Sequence, residues 1–265
     1  MIFKEYKVLS NNFYIKSLYH YDCIYPEKYK FFIPDGNLEL MLSNQPISIT
    51  SNKKTIINNE NDIFWGQIRF TGNMESPVPY QVFGIKFQPW VLPVISLGQN
   101  KKLIDHLVPA SQVFGNRLLK YIKDFFAQWD FDAPCELAIA RLSDDMKQQF
   151  NPAPFTKYNF LNVMEIIGNS EGIITLPEVL QHSRQSFRTL QYDFHNYIGL
   201  SPKEYVDLVR FRKLCMNLKS QKKILDSALE FGFYDQAHFN KKFKTVCHKT
   251  PAAFLKEKNL LLSNI

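Results

Sequence analysis

The 265-residue sequence predicts an α+β fold. An N-terminal antiparallel β region, a barrel or sandwich followed by helices, precedes an all-α region built from two helix-turn-helix motifs. Three observations carry this. Up to about residue 95, aromatic and β-branched residues form strand-length runs separated by turn residues. Beyond the two prolines of "NPAPFTK", residues 151–157, the runs have helical period and no convincing strand follows. The second half also repeats itself at an offset of 49 residues, as a duplicated structural unit does.

Taken in order, "FYIKSLYHYD", "LELMLS", "TIIN", "IFWGQIRF" and "YQVFGIKF" have the length and residue types of strands. "PDGN" (Pro34–Asn37) and "SNQP" (Ser43–Pro46) have the chemistry of turns. From about residue 97 the pattern changes. "NRLLKYIKDFFAQW" puts Leu118, Ile122, Phe125 and Phe126 on one helical face, and "CELAIARLSDDMKQQF" reads as a second amphipathic helix. These two helices suit packing on the β region or a dimer contact equally. The prolines at 152 and 154 mark a boundary, giving a β-rich regulatory region over 1–150 and a helical one over 157–265.

Apolar residues make up 45% of the chain and charged residues 22%, a globular composition. The net charge of +7 is uneven: residues 1–155 hold 16 Lys and Arg against 15 Asp and Glu, while residues 156–265 hold 16 against 10. A basic half joined to a near-neutral one predicts that the helical region meets a polyanion. The four cysteines, Cys23, Cys135, Cys215 and Cys247, are scattered without a CxxC pair, which suits free thiols in a reducing compartment. The first residues lack a signal-peptide core, and no apolar run reaches the roughly 18 residues a membrane span needs. A cytoplasmic protein with no membrane partner is the expectation.

The repeat pairs Ser186 with Asp235, Leu190 with Phe239, Phe194 with Phe243, Gly199 with His248, Ser201-Pro202 with Thr250-Pro251, and Tyr205 with Phe254. Each copy reads as helix, tight turn, helix. In the second, Ile224–Phe231 is a short helix ended by Gly232, and Asp235 caps a helix running to about Val246. Phe239, Phe243 and Val246 bury one face, which leaves Ala237, Lys241 and Lys244 opposite, flanked by Asn240 and His238. In the first, Leu176–Gln181 leads and Ser186 caps the second helix. Leu190, Phe194 and Tyr197 point inward; Arg188, Tyr192 and His195 point outward, with Gln191 beside them. Outward Arg, Gln, Asn and Lys suit the base edges and phosphates of a DNA major groove, which admits one helix. Between the copies, "SPKEYVDLVRFRKLCMNLKS" reads as one long helix with Pro202 at its first position, a rod able to space two recognition helices.

These residues closely resemble the C-terminal signature of the AraC/XylS-type transcription regulators. "ALEFGFYDQAHFNKKFKTVCHKTPAAF" carries its second motif, and "ITLPEVLQHSRQSFRTLQYDFHNYIGLSPKEYVDLVRFRKL" its first, over about 100 residues. The resemblance implies a double-stranded-DNA partner, a contact with RNA polymerase, and control by a small-molecule effector or by homodimerisation through the N-terminal region. It implies base or backbone contacts for Arg188, Gln191 and Tyr192, and for Gln236, His238 and Lys241. His195, Asn240 and Lys244 complete the candidate interface. The sequence departs from the family at Ser183-Arg184, where Leu-Gly is usual, and at His248, where Gly is usual; His tolerates the left-handed backbone such a turn needs. Leu214 stands where a small residue is common. "IPDGNLELMLS" and "FGIKFQPW" resemble, over short patches, the sensor domain found ahead of such regulators.

Other chemistry finds little support. A cupin-like β region could hold a catalytic metal, but the N-terminal part has only His20 and His106, in different kinds of segment. GxSxG, Walker A and GxGxxG motifs are absent. Cys215, Cys247 and His248 match no zinc spacing. Asp35 and Glu39, beside a turn and a strand, could bind a polar ligand, but solvated turn carboxylates are the commoner case and the expectation. No cofactor, metal or enzymatic activity is expected; the alternatives to a specific regulator are a nonspecific architectural DNA binder and an enzyme with an accessory DNA-binding part.

Overall fold

The computed structural model describes residues 2–7, 12–24, 30–52, 54–96, 103–129, 135–150, 158–220, 231, 235–257 and 260–261. Among the described residues, eight N-terminal strands and one C-terminal strand form a nine-stranded sheet. The strands are β1 (Ile2–Lys7), β2 (Ile15–Cys23), β3 (Lys30–Phe32), β4 (Leu38–Ser51), β5 (Lys54–Trp65), β6 (Gly72–Glu75), β7 (Tyr80–Phe87), β8 (Leu107–Pro109) and β9 (Leu260–Leu261). They run in the order β1-β2-β7-β4-β6-β3-β9, with β5 on the opposite edge of β4 and β8 beside β5. Every pairing is antiparallel except β3 with β9.

The 14-residue β4 organises this sheet. Its first half pairs with β7 and its second with β6, while β5 follows it throughout. Ser43–Pro46, expected as a turn, lies inside this strand. The register against β5 jumps between Leu42 and Ile47, so Pro46, which has no N–H to donate, sits in a bulge. Pro34–Asn37 is the expected turn: the Asp35 carboxylate accepts from the Asn37 N–H at 3.0 Å, and Gly36 takes φ +76°.

Both faces of the sheet are buried. Alternation along each strand sends Leu18, Leu38, Leu40, Phe64, Ile85 and Phe87 to one core and Tyr19, Tyr21, Met41, Ile63, Trp65 and Val82 to the other. Three helices cover the first core: α1 (Leu92–Ile95), α2 (Ser111–Gln128) and α3 (Cys135–Phe150). Leu118, Ile122 and Phe126 of α2 and Leu142 and Met146 of α3 are inserted there, so both helices pack on the sheet.

Among the described residues six helices follow: α4 (Tyr158–Asn169), α5 (Leu176–Ser183), α6 (Phe187–Tyr197), α7 (Pro202–Lys219), α8 (Gln236–Cys247) and α9 (Pro251–Leu255). They form two cores. Phe160, Ile167, Val179, Leu190, Phe194 and Tyr205 lie in the first, and Phe211, Leu214, Phe239, Phe243 and Phe254 in the second. Helix α7 runs through both, and its buried residues, from Tyr205 to Leu218, lie all round it because it is surrounded. The leading helix expected at Ile224–Phe231, and Gly232, lie outside the described residues apart from buried Phe231.

The sequence suggested no strand after residue 157. Leu260–Leu261 nevertheless pairs in parallel with Phe31–Phe32 at the sheet edge. Phe31 and Ile33 accompany this pairing into the core of the second helical unit, where the Phe31 and Phe254 rings meet edge-to-face at 6.3 Å.

Candidate nucleic-acid interface

In the first unit, α5 opens with a capping box. The Thr175 hydroxyl accepts from the Glu178 N–H, and the Glu178 carboxylate accepts from the Thr175 N–H at 2.7 Å. The turn after α5 passes through Arg184, which takes the left-handed conformation (φ +51°) in the place where glycine is favoured. Side chains secure that turn. Ser183 Oγ accepts from the Gln185 N–H, and the Gln185 amide donates to the fully buried Asp193 at 3.2 Å. Ser186 then caps α6 by accepting from the Thr189 N–H at 3.1 Å.

With Leu190 and Phe194 fully buried, α6 presents Arg188, Tyr192 and His195 to solvent, with Gln191 half-buried beside them. After α6 the chain turns at Gly199 (φ +82°), and a second capping box, Ser201 with Glu204, starts α7 behind Pro202. Arg210 on α7 donates to the carbonyls of Gly172 at 2.8 Å and Ile174 at 3.0 Å, tying the α4–α5 turn to the rod. Lys213, also on α7, pairs with Glu171 in the same turn.

The second helix of the second unit is capped and buried alike. Asp235 caps α8 by accepting from the His238 N–H at 2.7 Å. Phe239, Phe243 and Cys247 point inward; Gln236, His238, Asn240, Lys241 and Lys244 are exposed. His248 ends α8 at φ +54° with its N–H on the Lys244 carbonyl, so histidine does hold the left-handed turn there. Thr250 caps the short α9. Cys215 and Cys247 are buried neighbours in the second core, and burial together with the hydrogen bond to Cys247 raises the Cys215 thiol well above its usual range, as suits packing groups. Each residue expected at the interface is therefore exposed except Gln191, which is half-buried. Phe187, first residue of α6 and directly after the cap, is 42% exposed as well.

The sheet grips these units at several points. Arg69 bridges Asp105, from its Nε at 2.9 Å, and the capping-box Glu204 of α7, from its Nη1 at 2.6 Å. Thr71 donates to the Val246 carbonyl of α8 at 3.1 Å. Asp35 was expected in solvent and is not: it joins Lys86 of β7 at 2.8 Å and Arg212 of α7 at 2.6 Å, with little of any of the three side chains exposed. Glu39 is likewise enclosed, accepting from the Tyr19 hydroxyl, and burial raises its carboxyl above the usual range.

Around Asp35 lies a cleft of about 350 Å³ between the sheet and α7, lined by Lys16, Asn37, Lys86, Tyr205, Arg212 and Lys213. Lys16 bonds to Asn37 at 3.0 Å. Surrounding protein, then the charges of Arg212 and Lys86, lower its ammonium to about 7, an effect moderated by the water that reaches this side chain. Burial lowers Arg212 to about 10. The lining also includes Glu5, Lys7 and Glu171, so five cations face three carboxylates, and the excess of positive charge suits an anion.

Among the described residues, no group of three or more His, Cys, Asp or Glu could hold a metal, and no helix is long and apolar enough to cross a membrane.

Residues 181–257, from the end of α5 to just past α9, match the model of a helix-turn-helix domain family. The chain carries a helix-turn-helix domain. The chain is 29% identical over 96 residues to the HTH-type transcriptional regulator MtrA of Neisseria gonorrhoeae, covering 36% of this chain and 32% of the relative. It is 34% identical over 93 residues to an uncharacterized HTH-type transcriptional regulator of Haemophilus influenzae, covering 35% of this chain and 30% of the relative. The likeness thus spans about a third of each relative's length. Among solved structures, ToxT of Vibrio cholerae O395 aligns over 96% of this chain and 97% of its own at 14% identity, with a TM-score of 0.48. The AraC-like transcriptional activator CuxR aligns over 77% and 74% at 12% identity, with a TM-score of 0.30.

Proposed function

We propose that this protein is a sequence-specific transcription regulator that reads two successive major grooves of double-stranded DNA with α6 and α8. The observation that carries the reading is the matched exposure on two capped helices: Arg188, Gln191, Tyr192 and His195 on one, and Gln236, His238, Asn240, Lys241 and Lys244 on the other, with α7 common to both cores. These residue types bond guanine, adenine and phosphate. Residues 157–265 act as the DNA-binding part and 1–150 as the regulatory part, in the cytoplasm. Contact with RNA polymerase, and pairing of two copies through the regulatory part, belong to the same reading.

Control resides in the cleft around Asp35. A small anion entering there meets Lys16, Lys86 and Arg212 and competes with Asp35 for the two cations that join the sheet to α7. The orientation of the rod, and with it that of both recognition helices, then depends on the occupant.

Selection of bound duplexes from a random pool, with and without small-molecule cell extract, tests both parts. A shared sequence with two elements about one helical turn apart supports the reading. Equal retention of all sequences with steep salt dependence overturns it in favour of a nonspecific binder.

A further inference from the structure

The two recognition helices differ in one chemical respect. Phe187 (42% exposed) and Tyr192 (65% exposed) both stand on α6, whereas no large hydrophobic side chain of α8 is exposed. Phe187 directly follows the Ser186 cap and precedes Arg188, and it shares a side of the helix with Gln191 one turn on. Single exposed apolar residues are ordinary on a protein surface. This one is at the N-terminal end of a recognition helix, which is the end that meets base edges.

The functional groups in the major groove are hydrogen-bond donors and acceptors with one exception, the C5 methyl of thymine. A phenyl ring placed there gains nothing from a polar edge and loses water favourably against a methyl. The geometry points to Phe187 as a specificity-determining residue: its ring packs on the C5 methyl of a thymine in the DNA element read by α6, beside the base contacted by Arg188 or Gln191. The element read by α8 meets no phenyl ring and is recognised chiefly through polar groups. This rests on the DNA-reading function proposed above, and it names a base that function leaves open.

The test uses the full chain and the duplex it selects. The element belonging to α6 is assigned by the loss of protection in Arg188→Ala, and that of α8 by Lys241→Ala. Each thymine is then replaced in turn by deoxyuridine, which removes only the methyl. One replacement in the α6 element weakens binding about fourfold, the worth of one buried methyl-sized group, and none in the α8 element does so. Phe187→Ala binds thymine and deoxyuridine alike, while Phe187→Leu, with an unchanged melting temperature, keeps part of the preference. The inference is overturned if every deoxyuridine is tolerated, or if Phe187→Ala discriminates as the natural protein does. Failure to select any sequence removes the DNA-reading function itself, a separate outcome.

Discussion

Arg212, midway along the helix shared by the two helix-turn-helix units, is held at 2.6 Å by Asp35 from a turn of the sheet. The same carboxylate holds Lys86 at 2.8 Å, so one aspartate pairs with two cations across the junction. Removing one partner of a buried ionic group leaves the others without compensation, which costs more than the pair contributes.

Asp35→Asn keeps the shape and one acceptor but loses the charge. We expect a fall of about 3 kcal/mol in unfolding free energy, read from the urea midpoint. Sulfate or phosphate at millimolar concentration should restore part of it, by binding the folded form where the carboxylate stood.

Anion binding in the cleft should depend on pH around neutrality. Lys16 faces Lys86 and Arg212, with Lys7 and Glu5 nearby, and its ammonium is lowered to about 7. The folded pKa lies below the ordinary lysine value of 10.5, so between those limits the unfolded chain holds the extra proton and folding strengthens as pH rises. A bound anion has the opposite preference, favouring the charged amine. Affinity for inorganic phosphate should therefore weaken from pH 6.5 to 8.5 beyond what phosphate's own ionisation explains, and Lys16→Met should flatten that trend; isothermal titration measures both.

Arg188→Ala and Lys241→Ala should each weaken binding to the selected duplex by about 1–3 kcal/mol if they reach bases, in a fluorescence anisotropy titration. A residue that meets only phosphate should instead weaken all duplexes alike and reduce the salt slope by about one. Neither change should move the melting temperature, because both side chains are exposed.

Two backbone positions should respond in opposite directions. A Cβ on Gly172 (φ +74°) would lie 2.4 Å from the Arg210 backbone nitrogen, so Gly172→Ala should destabilise the first unit by at least about 1 kcal/mol. His248 occupies the left-handed region at a cost glycine avoids, so His248→Gly should stabilise by about 1 kcal/mol. Thermal and urea unfolding decide both.

Phe254 is fully buried against Phe31 and Phe243. Phe254→Ala should cost about 3–5 kcal/mol and loosen the C-terminal strand from the sheet edge as well as the second helical core. Hydrogen exchange at Phe31 and Phe32 should rise together with exchange along α8.

The interface was legible where its causes are local. Ser186, Asp235 and Ser201 cap helices because a short polar side chain reaches the free N–H groups of its own first turn. The outward faces of α6 and α8 followed from the spacing of Leu190 and Phe194 and of Phe239 and Phe243. Pro46 misled because its turn chemistry is equally that of a bulge inside a long strand, and which of the two forms depends on β5 and β6 alongside it.

The amino-acid order by itself determined the strand-rich first part, the duplicated helical units and the side each recognition helix turns outward, because helix period, strand alternation and caps act over a few residues. Only the tertiary structure decided that Asp35 holds Lys86 and Arg212, that Arg69 reaches Glu204, and that Leu260–Leu261 adds to the strand beginning at Lys30. Those contacts join residues scores to hundreds of positions apart. Their partners are chosen by which surfaces meet when two cores are packed together, and a charged side chain carries no local mark of the ion it will face.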